Sequence, residues 1–350
     1  MRVLKWIAIT LATLVTLVGV ALGLLAARPA STPAISGEHA ISALERIELG
    51  GSPQTVLMRG QDRRNPVLLY LHGGPGFAHL PIARFYSEEL ERHFVVVHWD
   101  QRGAGASCEG TDWSQLSVER IVADTIELSE QLAERFGGGG KIVLLGHSWG
   151  SVVGALAVQR RPDLYHAYIG LGQLVHGLRN EEVSYKWVVA EAKRRGDEEA
   201  SAELAGIYPP YATNDEFGIQ RRLLNSYNGS IYAVERASDA LVPALLGSEY
   251  TLGTRIRYFS CFTRSVDTLW GDVLKIDFLT DLPRLDVPVF FFMGRHDWNT
   301  PFPLVEEWTE TLEAPHVEIV WFENSGHVIP LENPEAFQRA LIEKVLPRTR

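Results

Sequence analysis

Hydrophobic and polar positions change rhythm three times along the chain. From Trp6 to Ala27 the sequence WIAITLATLVTLVGVALGLLAA runs without a charge, and Arg2 and Lys5 precede it. A helix rising about 1.5 Å per residue reaches about 33 Å over this stretch, enough for the hydrocarbon core of a bilayer. Cleaved secretory signals have a shorter apolar region and a small-x-small exit; here the exit reads Leu24-Leu25-Ala26-Ala27-Arg28-Pro29. Segment 1–27 is therefore expected to be an uncleaved membrane anchor. The alternative is a signal whose removal leaves a secreted or periplasmic body. Arg2, Lys5 and the terminal amine outweigh Arg28, so the positive-inside bias keeps the N-terminus cytoplasmic and puts the body on the far side. Residues 28–40, rich in Pro, Ser and Gly, read as a linker.

Beyond the linker, strand and helix patterns alternate. Ala43–Leu49 and Gln54–Arg59, split by Gly50-Gly51-Ser52-Pro53, predict a hairpin. Val67–Leu71, Phe94–Trp99, Ile142–Leu145 and Tyr165–Leu171 are short apolar runs of the kind found in strands covered on both faces. Val118–Phe136 has apolar residues at helical spacing, with Gly137 as a stop. Gly137–Gly140 precedes a strand and lacks GK[ST], so it reads as a connector rather than a phosphate loop. Strand signals resume at Val287–Met293 and Val317–Phe322, and Asn333–Val345 opens with an Asn cap and Pro334 at the first helical position. The predicted class is α/β: a mostly parallel sheet with helices on both faces. Residues 41–172 and 283–350 form its core, and the helical stretch 173–282 is inserted as a cap over the C-terminal ends of the strands.

Candidate chemistry sits where strands end. Ile142–Leu145 runs into Gly146-His147-Ser148-Trp149-Gly150 and then a helix. This is G-x-S-x-G in its strand–turn–helix setting, with Ser148 projected above the sheet as nucleophile. A serine hydroxyl needs a base, and the base needs an orienting carboxylate. Asp297 follows the strand ending at Met293, and His327 lies in the loop after Val317–Phe322. In parallel strands both reach the same edge as Ser148, in the order nucleophile, acid, histidine. His147 and His296 adjoin other members of the set, while His316, Asp281 and Asp286 precede their strands at the opposite edge. Val67–Leu71 ends in His72-Gly73-Gly74-Pro75-Gly76, a Gly-rich turn suited to one oxyanion-hole amide. Pro75 has no N–H, so Gly74 is chosen, with Gly73 in reserve; the second donor is the N–H of Trp149.

Composition narrows the partners. Thirty-three Lys and Arg against 43 Asp and Glu give a net charge of −10, with no basic stripe for nucleic acid. The two cysteines, Cys108 and Cys261, exclude a disulfide-dense scaffold and a Cys-rich zinc module, and are expected as unpaired thiols. Oligomeric state leaves no mark in the sequence.

HGGPG at 72–76, WDQRGAGAS at 99–107, GHSWGS at 146–151, GRHDWNTP at 294–301 and SGH at 325–327 together resemble the proline iminopeptidase branch of the α/β-hydrolase superfamily. The resemblance covers about 40–172 and 283–346. It implies a hydrolase core with a helical cap, no metal or organic cofactor, Ser148, Asp297 and His327 as triad, and the Gly74 and Trp149 amides as oxyanion hole. It also implies that Asp100, Gln101 and Arg102 are scaffold, held in a buried Asp–Arg network. Two departures stand out: His147 replaces the Gly usual before the serine, and the cap lacks the family's Trp/Glu-rich pattern. Residues 173–282 hold 16 Asp and Glu against 12 Lys and Arg. Glu181, Glu182, Glu191, Glu235 and Asp239 are the carboxylates available to a substrate's α-amine. The expected activity is a serine hydrolase acting through an acyl-enzyme, prolyl aminopeptidase-like. An esterase or amidase for small apolar acyl groups is the alternative, and a membrane-tethered, non-catalytic binding protein is the alternative of another kind.

Overall fold

The computed structural model describes residues 6, 10, 13, 14, 16, 17, 19, 23, 28–137 and 140–349. Most of the expected anchor, and residues 138 and 139 of the glycine connector, lie outside these. Among the described residues no helix is long and apolar enough to cross a membrane.

The hairpin forms as patterned. β1 (Ile41–Leu49) and β2 (Ser52–Gly60) pair antiparallel, from Ile41 opposite Gly60 to Leu49 opposite Ser52. β3 (Val67–Leu71), β4 (Val95–Trp99), β5 (Ile142–His147), β6 (Tyr165–Leu171), β7 (Val289–Gly294) and β8 (Val317–Phe322) are parallel to one another. The sheet order is β1-β2-β4-β3-β5-β6-β7-β8, and β2 meets β4 antiparallel. All five residues of β3 and of β4 are buried. The pleat sends Leu69, Leu71 and Leu144 into one core, and Leu68, Tyr70, Val143 and Leu145 into the other. Each such side chain contributes up to about 2 kcal/mol of apolar burial, and this two-sided cover is why the runs are continuous rather than alternating.

Helix α1 (Val118–Gly137) buries the stripe Val118, Ile121, Val122, Leu128 and Leu132 on the first of these cores. Helix α2 (Trp149–Arg160) is buried for most of its length, and its small residues Gly150, Gly154, Ala155 and Ala157 let it lie close on the sheet. Between β6 and β7 the chain is helical: α3 (Gly177–Arg195), α4 (Glu198–Ala205), α5 (Asn214–Ser226), α6 (Leu241–Leu246) and α7 (Leu252–Val273). Local chemistry sets these boundaries. Asp197, Thr213 and Thr251 each accept an N–H from the first turn of the helix they precede, worth about 1 kcal/mol apiece. Val188, Ala192, Leu204, Leu223 and Leu224 give α3, α4 and α5 a small core of their own. After β7 come α8 (Phe302–Thr311) and α9 (Pro334–Ala340), the latter capped by Asn333.

One expectation is overturned. Cys108 and Cys261 are not free thiols but a disulfide, with Cα atoms 6.1 Å apart. The loop after β4 carries Cys108 to the flank of α7, a meeting that a separation of 153 residues conceals. The bridge ties the helical insertion to the core.

Candidate active site

Ser148 occupies a strained turn between β5 and α2, with φ 55° and ψ −120°. A non-glycine residue held there costs about 1–3 kcal/mol. The flanking glycines make the turn possible: a Cβ at Gly146 would overlap the Gly150 carbonyl, and one at Gly150 would overlap the Leu71 carbonyl. The Ser148 N–H donates to the Leu171 carbonyl at 2.9 Å, which pins the elbow to the end of β6. Trp149 is the first residue of α2, so its N–H belongs to the helix's unpaired first turn, at the positive end of the dipole.

Asp297 and His327 converge as the strand order requires. His327 Nδ1 lies 2.8 Å from Asp297 Oδ2, and both residues are buried. Asp297 Oδ1 accepts the N–H groups of Asn299 and Thr300, each at 2.9 Å. A carboxylate on Nδ1 fixes the tautomer and leaves Nε2 as the proton acceptor. Gly172, one residue past the carbonyl that holds Ser148, sits against this pair: a Cβ there would lie 2.9 Å from His327 Nδ1 and 3.2 Å from Asp297 Oδ2. Among the described residues no hydrogen bond joins the Ser148 hydroxyl to the His327 ring, a contact that commonly tightens only around substrate.

The Gly-rich turn lies on the other side of the serine. A Cβ at Gly73 would come 3.1 Å from Ser148 Cβ. The Gly73 carbonyl accepts from His72 Nδ1 at 2.8 Å and from the Phe77 N–H at 3.1 Å. Gly74, at φ 120°, lines the same cavity as Ser148 and Trp149, whereas Gly73 does not.

The supporting residues are those that motifs describe least well. Thr300 Oγ1 is 2.9 Å from Asp297 Oδ2, 3.0 Å from the Gly172 carbonyl and 3.1 Å from His327 Nδ1. Buried Glu332 accepts N–H groups from Gly326 (2.9 Å) and Val328 (3.1 Å), the two neighbours of His327, and from Tyr232 and Ala233 of the insertion. The His327 N–H itself donates to the Ser230 carbonyl at 2.7 Å. Nothing in the local sequence singles out Glu332, because its partners are backbone amides from two distant segments. For Thr300 the signal is present in Asp297-Trp298-Asn299-Thr300, a spacing suited to an Asx turn.

Gln101 joins two parts of the site. Its side chain donates to the His72 carbonyl at 3.0 Å and accepts from the Trp149 indole at 2.9 Å, and its N–H donates to His72 Nε2. The expected Asp–Arg network is rearranged. Arg102 pairs with Asp124 at 2.8 Å, while Asp100 bonds the Tyr250 hydroxyl at 2.9 Å and the Ala106 N–H at 2.7 Å. Burial without a cation pushes the Asp100 carboxyl up to about 7. Burial likewise pushes His72 down to about 4 and His147 to about 3, so both rings are neutral at pH 7. Neutral His147 lies against the His327 ring at 4.8 Å, and its Nε2–H donates to the His327 carbonyl at 2.9 Å. His296 stacks on Tyr232 instead of entering the site.

A cavity of about 410 Å³ opens on Ser148, Gly74 and Trp149. Its apolar walls are Leu174, Phe217, Phe262, Val266, Trp270 and Val273; Asn180, Asn225 and Asn299 add polar groups, and Glu181 and Arg221 are its charged pair. Arg221 Nη2 donates to both carboxylate oxygens of Glu181, at 2.6 and 2.8 Å, and Glu181 is buried. Of the other cap carboxylates weighed for an α-amine, Glu191 pairs with Arg194 and Arg195, Glu235 and Asp239 are exposed, and none of these or Glu182 lines the cavity.

A parallel sheet with a serine elbow, an acid–histidine pair after later strands and a helical insertion over them is the arrangement of α/β-hydrolases. The model of the alpha/beta hydrolase family matches residues 68–340, and the chain belongs to that family. It is 31% identical over 311 residues to a Bacillus subtilis (strain 168) protein named "Probable aminopeptidase YbaC", spanning 88% of this chain and 97% of that protein. It is 29% identical over 322 residues to a protein named "Probable proline iminopeptidase" from Leptolyngbya boryana, spanning 85% and 90%. Among solved structures, a proline iminopeptidase-related protein from Thermus thermophilus superposes with a TM-score of 0.61 at 23% identity, over 88% of this chain and 98% of that one. At that identity the likeness concerns the fold.

Proposed function

We propose that this chain is a serine hydrolase that cleaves an amide or ester through an acyl-enzyme. The observation that carries the reading is the buried Asp297–His327 pair, set against Gly172 beside the Ser148 elbow. Ser148 Oγ attacks the substrate carbonyl carbon as His327 Nε2 takes its proton. Asp297 holds the Nδ1–H and stabilises the imidazolium. The Gly74 and Trp149 N–H groups receive the developing oxyanion. Nε2–H then protonates the departing amine or alcohol. Water attacks the acyl-enzyme with its proton passing to Nε2, and the acid leaves as Ser148 recovers its hydrogen.

For the substrate, the names of the relatives and the presence of Glu181 in the cavity support release of an N-terminal Pro or another small residue from peptides. A second reading has its own support: Glu181 already faces Arg221, and most of the remaining wall is apolar, which suits an ester or amide of a small apolar acid. We further propose that the body works on the extracytoplasmic side. The Cys108–Cys261 disulfide favours an oxidising compartment, in keeping with the uncharged stretch 6–27.

Labelling with a fluorophosphonate probe tests the reaction class. The protein should label at Ser148, and Ser148→Ala should abolish labelling and lower turnover by several powers of ten. A folded wild-type chain that never labels would point to the non-catalytic binding protein. Chromogenic prolyl and alanyl amides set against simple esters separate peptidase from esterase, and fractionation of the full chain with membranes tests the location.

A further inference from the structure

An apolar face of the cap is left uncovered beside the point where the linker joins the body. Leu241, Val242 and Leu246 of α6 and Ile256 and Phe259 of α7 are 61–75% exposed, and Phe77 is 48% exposed. Phe77, Leu241 and Phe259 line a common apolar cleft of about 370 Å³. Arg255 ties the two helices together by donating to the Ala244 carbonyl at 2.7 Å and to the Gly247 carbonyl. Exposed apolar side chains clustered around a cleft in this way mark an interaction site.

The linker sets which partner this face meets. Ser31 and Ser248 are clamped by two hydrogen bonds of 2.9 Å, Ser31 N–H to the Ser248 carbonyl and Ser248 Oγ to the Ser31 carbonyl. Ala34 and Ile35 line a second cleft together with Val242 and Leu246. Arg28, the first residue after the uncharged stretch, is three residues before Ser31, at most about 10 Å of extended chain. A segment buried in a bilayer up to Ala27 therefore brings α6 to the bilayer surface. The guanidiniums nearby are already engaged: Arg59 by Glu91, Arg84 by Glu249 and Arg257 by Glu109. The face is thus suited to apolar insertion rather than to reading anionic headgroups. It also adjoins the wall of the active-site cavity, since the Phe77 ring meets Phe262 edge-on, with centroids 5.7 Å apart, and Phe262 lines the cavity of Ser148.

We propose that the α6–α7 face of the cap rests in the interface of a neutral phospholipid bilayer. The proposal rests on reading residues 6–27 as a membrane anchor. The test uses the full chain with a nitroxide at Leu246→Cys or Phe259→Cys, reconstituted in phosphatidylcholine vesicles; the native cysteines are paired and do not take the label. Lys141→Cys, before β5 at the opposite edge of the sheet, is the control. Vesicle co-flotation reports the anchor, and collisions with oxygen and with a water-soluble nickel chelate report depth. Expected are co-flotation, an oxygen-to-chelate ratio above one at 246 and 259, and the inverse at 141. Co-flotation with chelate collisions dominating at all three positions overturns the docked face and spares the anchor. Failure to co-float removes both. Exclusion of the chelate without oxygen enrichment, or dipolar broadening between labels, means that protein covers the face (the chain's own N-terminal segment or a second copy) and overturns the proposal equally.

Discussion

The rim of the sheet and the cap above it hold their carboxylates by different means. At the rim, Glu332 and one oxygen of Asp297 are gripped by backbone N–H groups: Asn299 and Thr300 on Asp297 Oδ1, Gly326, Val328, Tyr232 and Ala233 on Glu332. In the cap, Glu181 is held by side chains, Arg221 and Asn180. A backbone donor moves only if its loop moves, whereas a side-chain partner can change rotamer or be replaced by one mutation. The arrangement proposed to break bonds is thus built into the main chain, and the groups facing the substrate are left free to vary.

The sharpest challenge to this contrast is Asp297→Asn. The amide keeps an oxygen for Asn299 and Thr300 but no longer holds the imidazole in its productive tautomer. Hydrolysis of a reporter ester should fall by about 10⁴ in kcat with circular dichroism unchanged, and a loss below about tenfold would remove Asp297 from its role. Next comes the link between the two regions. Cys261→Ser opens a loop whose ends are 153 residues apart, worth about 5 kcal/mol on the chain-entropy model. A urea midpoint that hardly moves would mean that packing alone docks the cap. Glu332→Gln replaces an acceptor of several N–H groups by one carrying donors of its own. It should cost about 3 kcal/mol in urea unfolding and lower kcat while KM stays put, because it loosens the His327 loop and leaves the cavity lining intact. A parallel rise in KM would place Glu332 in substrate binding instead. The smallest effect belongs to the cap. Glu181→Gln should reduce kcat/KM for a prolyl amide by about tenfold and leave a simple ester nearly untouched. Equal losses on both would favour the esterase reading.

Much of this was legible from residue order. The runs Val67–Leu71, Tyr165–Leu171 and Val317–Phe322 are the strands residue for residue; for Val67–Leu71 the reason is that a strand covered on both faces leaves an unbroken apolar signature. β5 outran its apolar run to include His147, since pairing with Leu171 of β6 carries the ladder into the motif. Ser148, Asp297 and His327 each stand just past the C-terminal end of a parallel strand, which marks them in the sequence, and the last two do meet. Glu332 went unseen because amides have no sequence signature. The partners in the buried network around Asp100 and Arg102 lie on distant segments that the local motif does not name: Arg102 turns to Asp124 of α1, and Asp100 to Tyr250. The Cys108–Cys261 bridge is likewise hidden in the sequence, two cysteines being too few to form a spacing pattern.

Residue order by itself determined the alternation of layers, the strand ends at which chemistry collects and the identity of the side chains placed there. Those properties follow from local periodicity and turn stereochemistry. Tertiary structure alone decided which carboxylate meets which cation, that Cys108 reaches Cys261, and which cap residues face Ser148. These depend on distances between segments far apart in the chain, and such distances exist only once the sheet has twisted and the insertion has closed over it.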